Sequence, residues 1–486
     1  VLWLKRNISV SGPLIDQEQL MSATNNKTIA VIGAGFSGTA TVLNLLNHVQ
    51  SPLHKIYLID GAESFGKGLA YATEDDNLVL NVPSGNMSVY ADRPDDFLDY
   101  CRELDSSLNS GSFMFRRVYG EYLQARLRQA KAAHPNVLVE LKDRVNELRH
   151  EKQFTLILAT GATLQVDQVV LAFGHFAPRR LAEVFPAPEL AQEKMKAVCI
   201  DNPWDICAID RLPLDQDVLI AGTGHTAIDT LFRLVSVPAP RKIYLVSRHG
   251  QSPNGHRKAG EFVKLPPLAK EIEHTVRTLL AQTPTIKSLF VAIRRLSDEH
   301  TAQQGNWRNV INSLRHITPE IWSALPVKER ARFLRHVVHH WDVLRHRLAP
   351  VAIQRLEGLV ASGRVEIVAG RVSHVDAHLQ VQIQLRGKRQ QRTIQVGSIV
   401  NCTGPNYDIH RVNNPLVRQL AHAGLLKQDE MKIGFAVDEQ YRCSSLPDLY
   451  YIGPMLKARY WEAIAVPELR AHAQNLSGIL LGNLCK

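Results

Sequence analysis

The run TIAVIGAGFSGTATVLNLLNHV, Thr28 to Val49, decides the fold. Thr28 to Ile32 read as an apolar strand. Gly33-Ala34-Gly35-Phe36-Ser37-Gly38 follows, and apolar residues then recur at helical spacing. A further strand, KIYLID, ends at Asp60. A strand, a glycine turn, a helix and a strand make a unit that holds a dinucleotide. Gly33 permits the tight turn, Gly35 lets backbone approach a pyrophosphate, and Gly38 lets helix and strand pack closely. The helix start at Phe36 and Ser37 offers free N–H groups and partial positive charge to the phosphates. Asp60 stands about twenty residues past the last glycine, where a carboxylate accepts hydrogen bonds from a ribose diol. The competing reading is an ordinary strand-helix turn with a surface Asp.

Further along, the same pattern returns as DVLIAGTGHTAIDTLFRLV, Asp217 to Val235, followed by KIYLVSR. The turn is Gly222-Thr223-Gly224-His225-Thr226-Ala227, and Ala is an accepted third residue. Its second strand ends in Ser247-Arg248 rather than in an acid. An acid repels a ribose 2′-phosphate, whereas Arg248 pairs with one, so NADPH is expected over NADH. The alternative is that Arg248 is a solvated strand end. His225 is either a ligand contact or a tolerated turn residue. Two more strands end in glycine, at Phe173-Gly174-His175 and Thr403-Gly404-Pro405. Glycine there lets backbone pass close to a flat cofactor or cross between domains.

Strand-like runs also occur at VLVEL, FTLILAT and QVVLAFG, then at VEIVA, LQVQIQL, TIQVGSIVNCTG and LYYIGP. Residues from about Gly260 to Gly358 read as mostly helical, and a last helix is expected from about Pro467. The fold class is therefore α/β, with two Rossmann-type dinucleotide-binding domains, one nested in the other, and a helical insertion. The expected divisions are a leader or tail at 1–26 (with Met21 as the natural start), FAD-binding segments at 27–204 and 401–486, and an NAD(P)H-binding domain at 205–400 with its insertion at about 260–358.

The net charge of +10 comes from scattered Lys and Arg without interleaved aromatic residues, which argues against nucleic acid as a partner. No apolar run reaches the length that spans a bilayer. The six cysteines include no C-x-x-C pair, which fits reduced thiols in the cytoplasm and argues against a dithiol-disulfide reductase. No His and carboxylate stand at metal-ligand spacing, and no nucleophile elbow is present. Arg335, His336, His339, His340, Arg345, His346 and Arg347 read as a solvated basic helix face. Trp341 and Arg345, four residues apart, share one side of that helix. If that side closes over a bound cofactor, Arg345 is placed to hold an anion.

Other short runs carry a resemblance: Ser64-Phe65-Gly66-Lys67-Gly68-Leu69-Ala70-Tyr71, Leu80-Asn81-Val82-Pro83, Met87-Ser88, Tyr119-Gly120, Asn202-Pro203-Trp204, Ser247-Arg248-His249-Gly250 with His256, Trp341-Asp342, Arg345-His346-Arg347, Ile452-Gly453-Pro454, Trp461-Glu462 and Ala465-Val466-Pro467-Glu468-Leu469-Arg470. In order, from Thr28 to the C-terminus, the chain resembles the bacterial FAD/NAD(P)-binding family that includes FAD-dependent urate hydroxylases and aspartate N-monooxygenases. The resemblance implies glutathione-reductase-like nesting and the chemistry of class B flavin monooxygenases. There NADPH reduces FAD, and a C4a-(hydro)peroxyflavin passes one oxygen atom to a small anionic or nitrogen-containing metabolite. It also implies that Gly33, Gly35, Gly38 and Asp60 hold the ADP half of FAD and that Val145 meets the adenine. The Lys67 to Tyr71 and Asn81 to Met87 loops would line the flavin, with Gly453 and Pro454 leading toward it. The helix near Pro467 would point its positive end at the flavin N1–C2 region. Asn81, Trp461 and Arg345 are the candidates for the reaction itself. An oxidoreductase without oxygen insertion and a non-catalytic dinucleotide-binding redox sensor remain the alternatives.

Overall fold

The structure, a computed structural model, describes residues 27–47, 53–63, 65–185, 198–257, 268–282, 284–303 and 305–484. The expected leader with Met21, Ser64, the expected edge at Gly260, and Cys485 lie outside the described residues.

Strand β1 (Lys27–Ile32), helix α1 (Phe36–Asn47) and strand β2 (Leu53–Ile59) form the first unit. Beyond Thr28 every residue of β1 is buried. Both neighbours of β1 are parallel and both faces are covered, so its apolar run does not alternate. Helix α2 (Arg116–Ala133) leads into β3 (Leu138–Leu141). An antiparallel sheet of β4 (Val145–His150), β5 (Phe154–Leu158) and β6 (Thr163–Val166) follows, and β7 (Gln168–Leu171) returns beside β1.

The chain then crosses to a second sheet. Its members are β8 (Cys199–Ile200), β9 (Val218–Ala221), β10 (Ile243–Ser247), β11 (Val365–Val375), β12 (Gln380–Leu385), β13 (Gln391–Gln395) and β14 (Ser398–Asn401). Helix α3 (His225–Leu234) joins β9 to β10. Among the described residues, seven helices stand between β10 and β11: α4 (Leu268–Leu280), α5 (Ile286–Ala302), α6 (Trp307–Ser313), α7 (Thr318–Ala324), α8 (Val327–His336), α9 (Val338–Arg345) and α10 (Pro350–Ala361). Finally β15 (Leu449–Tyr451) pairs with β7 in the first sheet, and α11 (Val466–Leu484) lies against α1, where Ser477 Oγ donates to the Thr41 carbonyl at 3.2 Å.

The first sheet runs β15-β7-β1-β2-β3, all parallel. The second runs β13-β12-β11-β10-β9-β14-β8. It takes in β8, ahead of the expected edge at residue 205, because Cys199 and Ile200 pair with Ile399 and Val400. Strand β11 serves two partners: Val365 to Ala369 run parallel to β10, and Gly370 to Val375 run antiparallel to β12. The run expected as one strand from Thr393 divides into β13 and β14, where Gly397 N–H turns to the Asp217 carbonyl. The insertion has its own core, built on Ile272, Val276, Val310, Leu314 and Trp322. No helix among the described residues is long and apolar enough to cross a membrane.

Candidate dinucleotide and substrate site

The two glycine turns are built alike. Gly33 N–H donates to the Ile59 carbonyl, and Gly222 N–H to the Val246 carbonyl, both at 2.8 Å. Each turn presses on the end of a neighbouring strand. A Cβ on Gly33 would stand 2.6 Å from Ala172 O, and one on Gly222 would collide with Cys402 O. Both glycines also have φ in the left-handed region, +113° and +134°, which side chains disfavour. A Cβ on Gly38 would strike Gly33 O, as close helix–strand packing requires. The middle glycines differ. A Cβ on Gly35 would meet only Gly68 Cα at 3.6 Å, and one on Gly224 would meet nothing within 4 Å. Their freedom from side chains serves the space outside the protein, not the packing inside it.

That space is one cavity of about 2570 Å³. It exceeds the few hundred to about 1,000 Å³ of an ordinary ligand site and has room for two dinucleotides. Around the first turn it is lined by Gly33, Gly35, Phe36, Ser37, Asp60, Lys67, Tyr71, Asn81, Met87 and Val145. Asp60 is fixed in the wall by backbone donors: Ala34 N–H to Oδ2 at 2.7 Å and Ala62 N–H to Oδ1 at 2.8 Å. Lys67 pairs with Glu74 at 3.2 Å. Tyr71 packs edge-on against Tyr119, and burial pushes its phenol up to about 12. Gly174 and Gly404 line the passage between the two turns, each with open space where a Cβ would stand.

Around the second turn the lining is Gly222, Gly224, His225, Thr226, Ser247, Arg248, His249 and Arg371. Thr223 Oγ1 and Ser247 Oγ lie 3.0 Å apart, tying the turn to the end of β10. His225 Nε2 stands 3.1 Å from the His346 carbonyl, and His256 Nε2 2.9 Å from the Asn81 carbonyl. A carbonyl only accepts, so each Nε2 carries the hydrogen. Burial holds both rings down to about 4 and neutral at pH 7. Asn81, His225, His256 and His346, from four separate segments, thus meet.

Beyond this point the cavity continues into a chamber walled by the insertion. Arg345 Nη2 lies 3.0 Å from Glu462 Oε2 and 3.8 Å from Glu468 Oε1. Trp341 Nε1 donates to Glu462 Oε1 at 3.2 Å, and Arg315 Nη2 to Glu468 Oε2 at 2.7 Å. Burial raises the Glu462 carboxyl although Arg345 opposes it. Glu468 opens helix α11, whose Val466, Pro467 and Leu469 also line the cavity. Trp341 and Arg345 do share a face, but a carboxylate of the chain itself occupies Arg345. Arg345 itself lines the cavity, with its Nη2 engaged by that carboxylate. Its neighbour Arg347 is 3% exposed and has neutral partners instead, the Leu344 carbonyl at 2.8 Å and Asn312 Oδ1 at 3.0 Å. Burial, then Arg345, Arg308 and Arg257, pull Arg347 down to about 9.

Two other expectations change. Trp461 does not line this cavity. It is 3% exposed in the core of the insertion, 4.6 Å from Trp322 and 4.9 Å from Phe333. Gly453 stands behind the wall, where a Cβ would lie 2.5 Å from Phe173 O, and it is Pro454 that faces the cavity. Arg371 was not legible as a site residue, because strand alternation alone does not place it beside Arg248. Glu462 was visible only as part of a motif, without its partner.

No curated protein matches the sequence. Residues 30–176 match the family model described as FAD-NAD(P)-binding. The fold is that of flavin-dependent enzymes of known structure. The ornithine N-hydroxylase of Kutzneria sp. 744, in a structure with reduced FAD, NADP+ and L-ornithine, is 13% identical, with 94% of this chain and 99% of that chain covered and a TM-score of 0.60. The L-lysine 6-monooxygenase of Pseudomonas syringae is 14% identical, with 95% and 100% covered and a TM-score of 0.60. The bacillithiol disulfide reductase of Staphylococcus aureus is 12% identical, with 94% and 98% covered and a TM-score of 0.52. These likenesses establish an α/β fold with two Rossmann-like domains. Because oxygenases and a disulfide reductase share it, function must be argued from the site.

Proposed function

We propose that this chain is a cytoplasmic, FAD-dependent, NADPH-using monooxygenase that oxygenates a small anionic or nitrogen-containing metabolite. The observation that carries the reading is the shared cavity: both glycine turns open into it, and it continues into a chamber walled by the insertion. The fit to the cofactors is good. The middle glycines leave the approach to each pyrophosphate open, and an acid ends the first unit while a base ends the second. Bound FAD supplies acceptance of hydride from NADPH and reaction with dioxygen.

The residues of the chain do the rest. Asp60 accepts from the ribose of FAD, and Arg248 pairs with the 2′-phosphate of NADPH. The first turn of α11 directs its free N–H groups and positive end into the cavity. Helices α6 and α9 keep bulk water from the chamber. Arg347, buried without a carboxylate partner among the described residues, holds the anionic end of the substrate. His225 and His256 stay neutral with their hydrogens on Nε2; His256 donates to the Asn81 carbonyl and fixes that stretch of backbone, while His225 donates to the His346 carbonyl. Against a dithiol reductase, Cys402 is the one cysteine among the described residues that lines the cavity.

The test is NADPH consumption by the FAD-loaded protein in air, alone and with a panel that includes urate and aspartate, while hydrogen peroxide is followed. Stimulated consumption with little peroxide, and one labelled atom from ¹⁸O₂ in the product, is the expected result. Electron transfer to an acceptor with no oxygen incorporated would replace this reading with an oxidoreductase. A protein that cannot take up FAD would replace it with a binding protein.

A further inference from the structure

Six basic side chains converge at the far end of β10. Arg248 and His249 follow that strand, Arg371 stands on β11, and Arg386 lies just past β12, where its Nη1 donates to the Arg248 carbonyl at 3.4 Å. Helix α9 brings His339 and His340 to the same place. The His249 and His339 rings stack with centroids 3.3 Å apart and planes 7° apart, and His340 follows at 3.8 Å from His339. None of the three arginines makes an ion pair with a carboxylate among the described residues. His339 Nε2 is buried and has no hydrogen-bond partner, although the residue lines the cavity. Three guanidiniums without an acid form a positive field that lacks its anion, and the imidazoles beside them offer ring N–H donors to one. The place is where a Rossmann unit reads the 2′ position of its ribose.

We propose that His249 and His339 complete, with Arg248, Arg371 and Arg386, a clamp for the 2′-phosphate, closed by a histidine of the insertion. The inference rests on the dinucleotide reading above and goes beyond it, because Arg248 alone requires nothing of α9. A phosphate gripped from both sides ties the insertion to the second sheet. Two further residues of α9, Trp341 and Arg345, hold Glu462 behind the chamber wall. A dinucleotide without the phosphate leaves that tie unmade.

The stack also sets a proton demand. Burial, then His340, His249, Arg386 and Arg248, hold His339 down to about 4, and burial with Arg386, Arg248, His340 and Arg371 lowers His249. Both are neutral at pH 7.5 before the anion arrives. A phosphate monoester is a dianion at that pH. Its arrival raises the imidazoles and draws a proton from solution.

The experiment is calorimetry on the FAD-loaded protein with 2′,5′-ADP and with 5′-ADP as probes, in buffers of different ionisation heat. The 2′,5′ compound is expected to bind at least about tenfold more tightly, as one or two charge-assisted hydrogen bonds imply. It takes up protons at pH 7.5 and weakens as pH rises from 6 to 8, while 5′-ADP does neither. His339→Asn and, separately, His249→Asn should each remove most of that preference and the proton uptake, with 5′-ADP binding unmoved. Retained flavin absorbance shows that each variant is folded. A preference for 2′,5′-ADP that both variants keep overturns the clamp and leaves the NADPH reading standing. Failure of both probes, together with no flavin reduction by NADPH or NADH, overturns the dinucleotide reading and the clamp with it.

Discussion

Gly35 and Gly224 separate binding from folding. Neither is needed by its neighbours, since an added Cβ finds 3.6 Å of clearance at Gly35 and open space at Gly224. Gly35→Val should therefore give a folded protein with unchanged circular dichroism that emerges without flavin. Gly224→Val should remain yellow but lose reduction by NADPH, seen as persistence of the oxidised flavin band under anaerobic mixing. A colourless Gly224 variant would contradict this separation. Arg248→Ala should raise the KM for NADPH on the order of tenfold or more and leave that for NADH nearly alone, because only one of the two carries the charge that it meets. These positions could be singled out in the sequence because place in a glycine motif carries its own geometry. Arg371, Arg386 and His339 could not, because they reach Arg248 from other strands and from the insertion, and no local pattern records such a meeting. The same holds for Arg345, whose charge is cancelled by Glu462 from the far end of the chain.

Helices α8 and α9 show why an element can be found and still be misread. Taken as one helix, residues 335–347 put their Arg and His on a solvated face. The chain instead ends α8 at His336, passes through Val337 at φ −115°, and starts again at Val338. That restart resets the helical phase. Arg335 and His336 remain exposed, whereas His339, Arg345 and His346 turn to the cavity. The insertion is also pinned by a residue outside it. Trp461, at φ +47°, stands between Trp322 and Phe333. Trp461→Ala should cost about 3–5 kcal/mol by leaving a cavity there. The loss should appear in urea unfolding as an early transition of the insertion, with flavin release following later. A single unshifted transition would show that the insertion is held by other contacts.

Over the whole molecule, several neutral histidines are folded into poorly solvated places. His225, His256 and His472 are each held down to about 4 by burial. An unfolded histidine titrates near about 6.5. Protons therefore bind the unfolded chain first, so this contribution to stability is complete above about pH 6.5 and is lost as pH falls toward 4. The Tm should drop steeply across that window, beyond what the carboxylates alone produce. A flat Tm down to pH 4.5 would mean that these rings are already charged in the folded protein. At this scale the nesting was readable, because the strand-turn-helix unit occurs twice and a last strand remains to be placed. The two-residue β8 and the double pairing of β11 were not, since neither leaves a periodic trace.

The nesting also fixes an order of manufacture. Every strand of the second sheet, from Cys199 to Asn401, leaves the ribosome before β15 does. Domains fold as units during synthesis, so the second sheet and its helices can close while the first sheet still waits for a strand and a wall. In that interval β7 presents an unpaired edge, which is open to misassembly. Among the described residues, the segment from β15 to α11 covers the edge and lines the cavity. Flavin uptake thereby reports that β15 and α11 have been made and have docked.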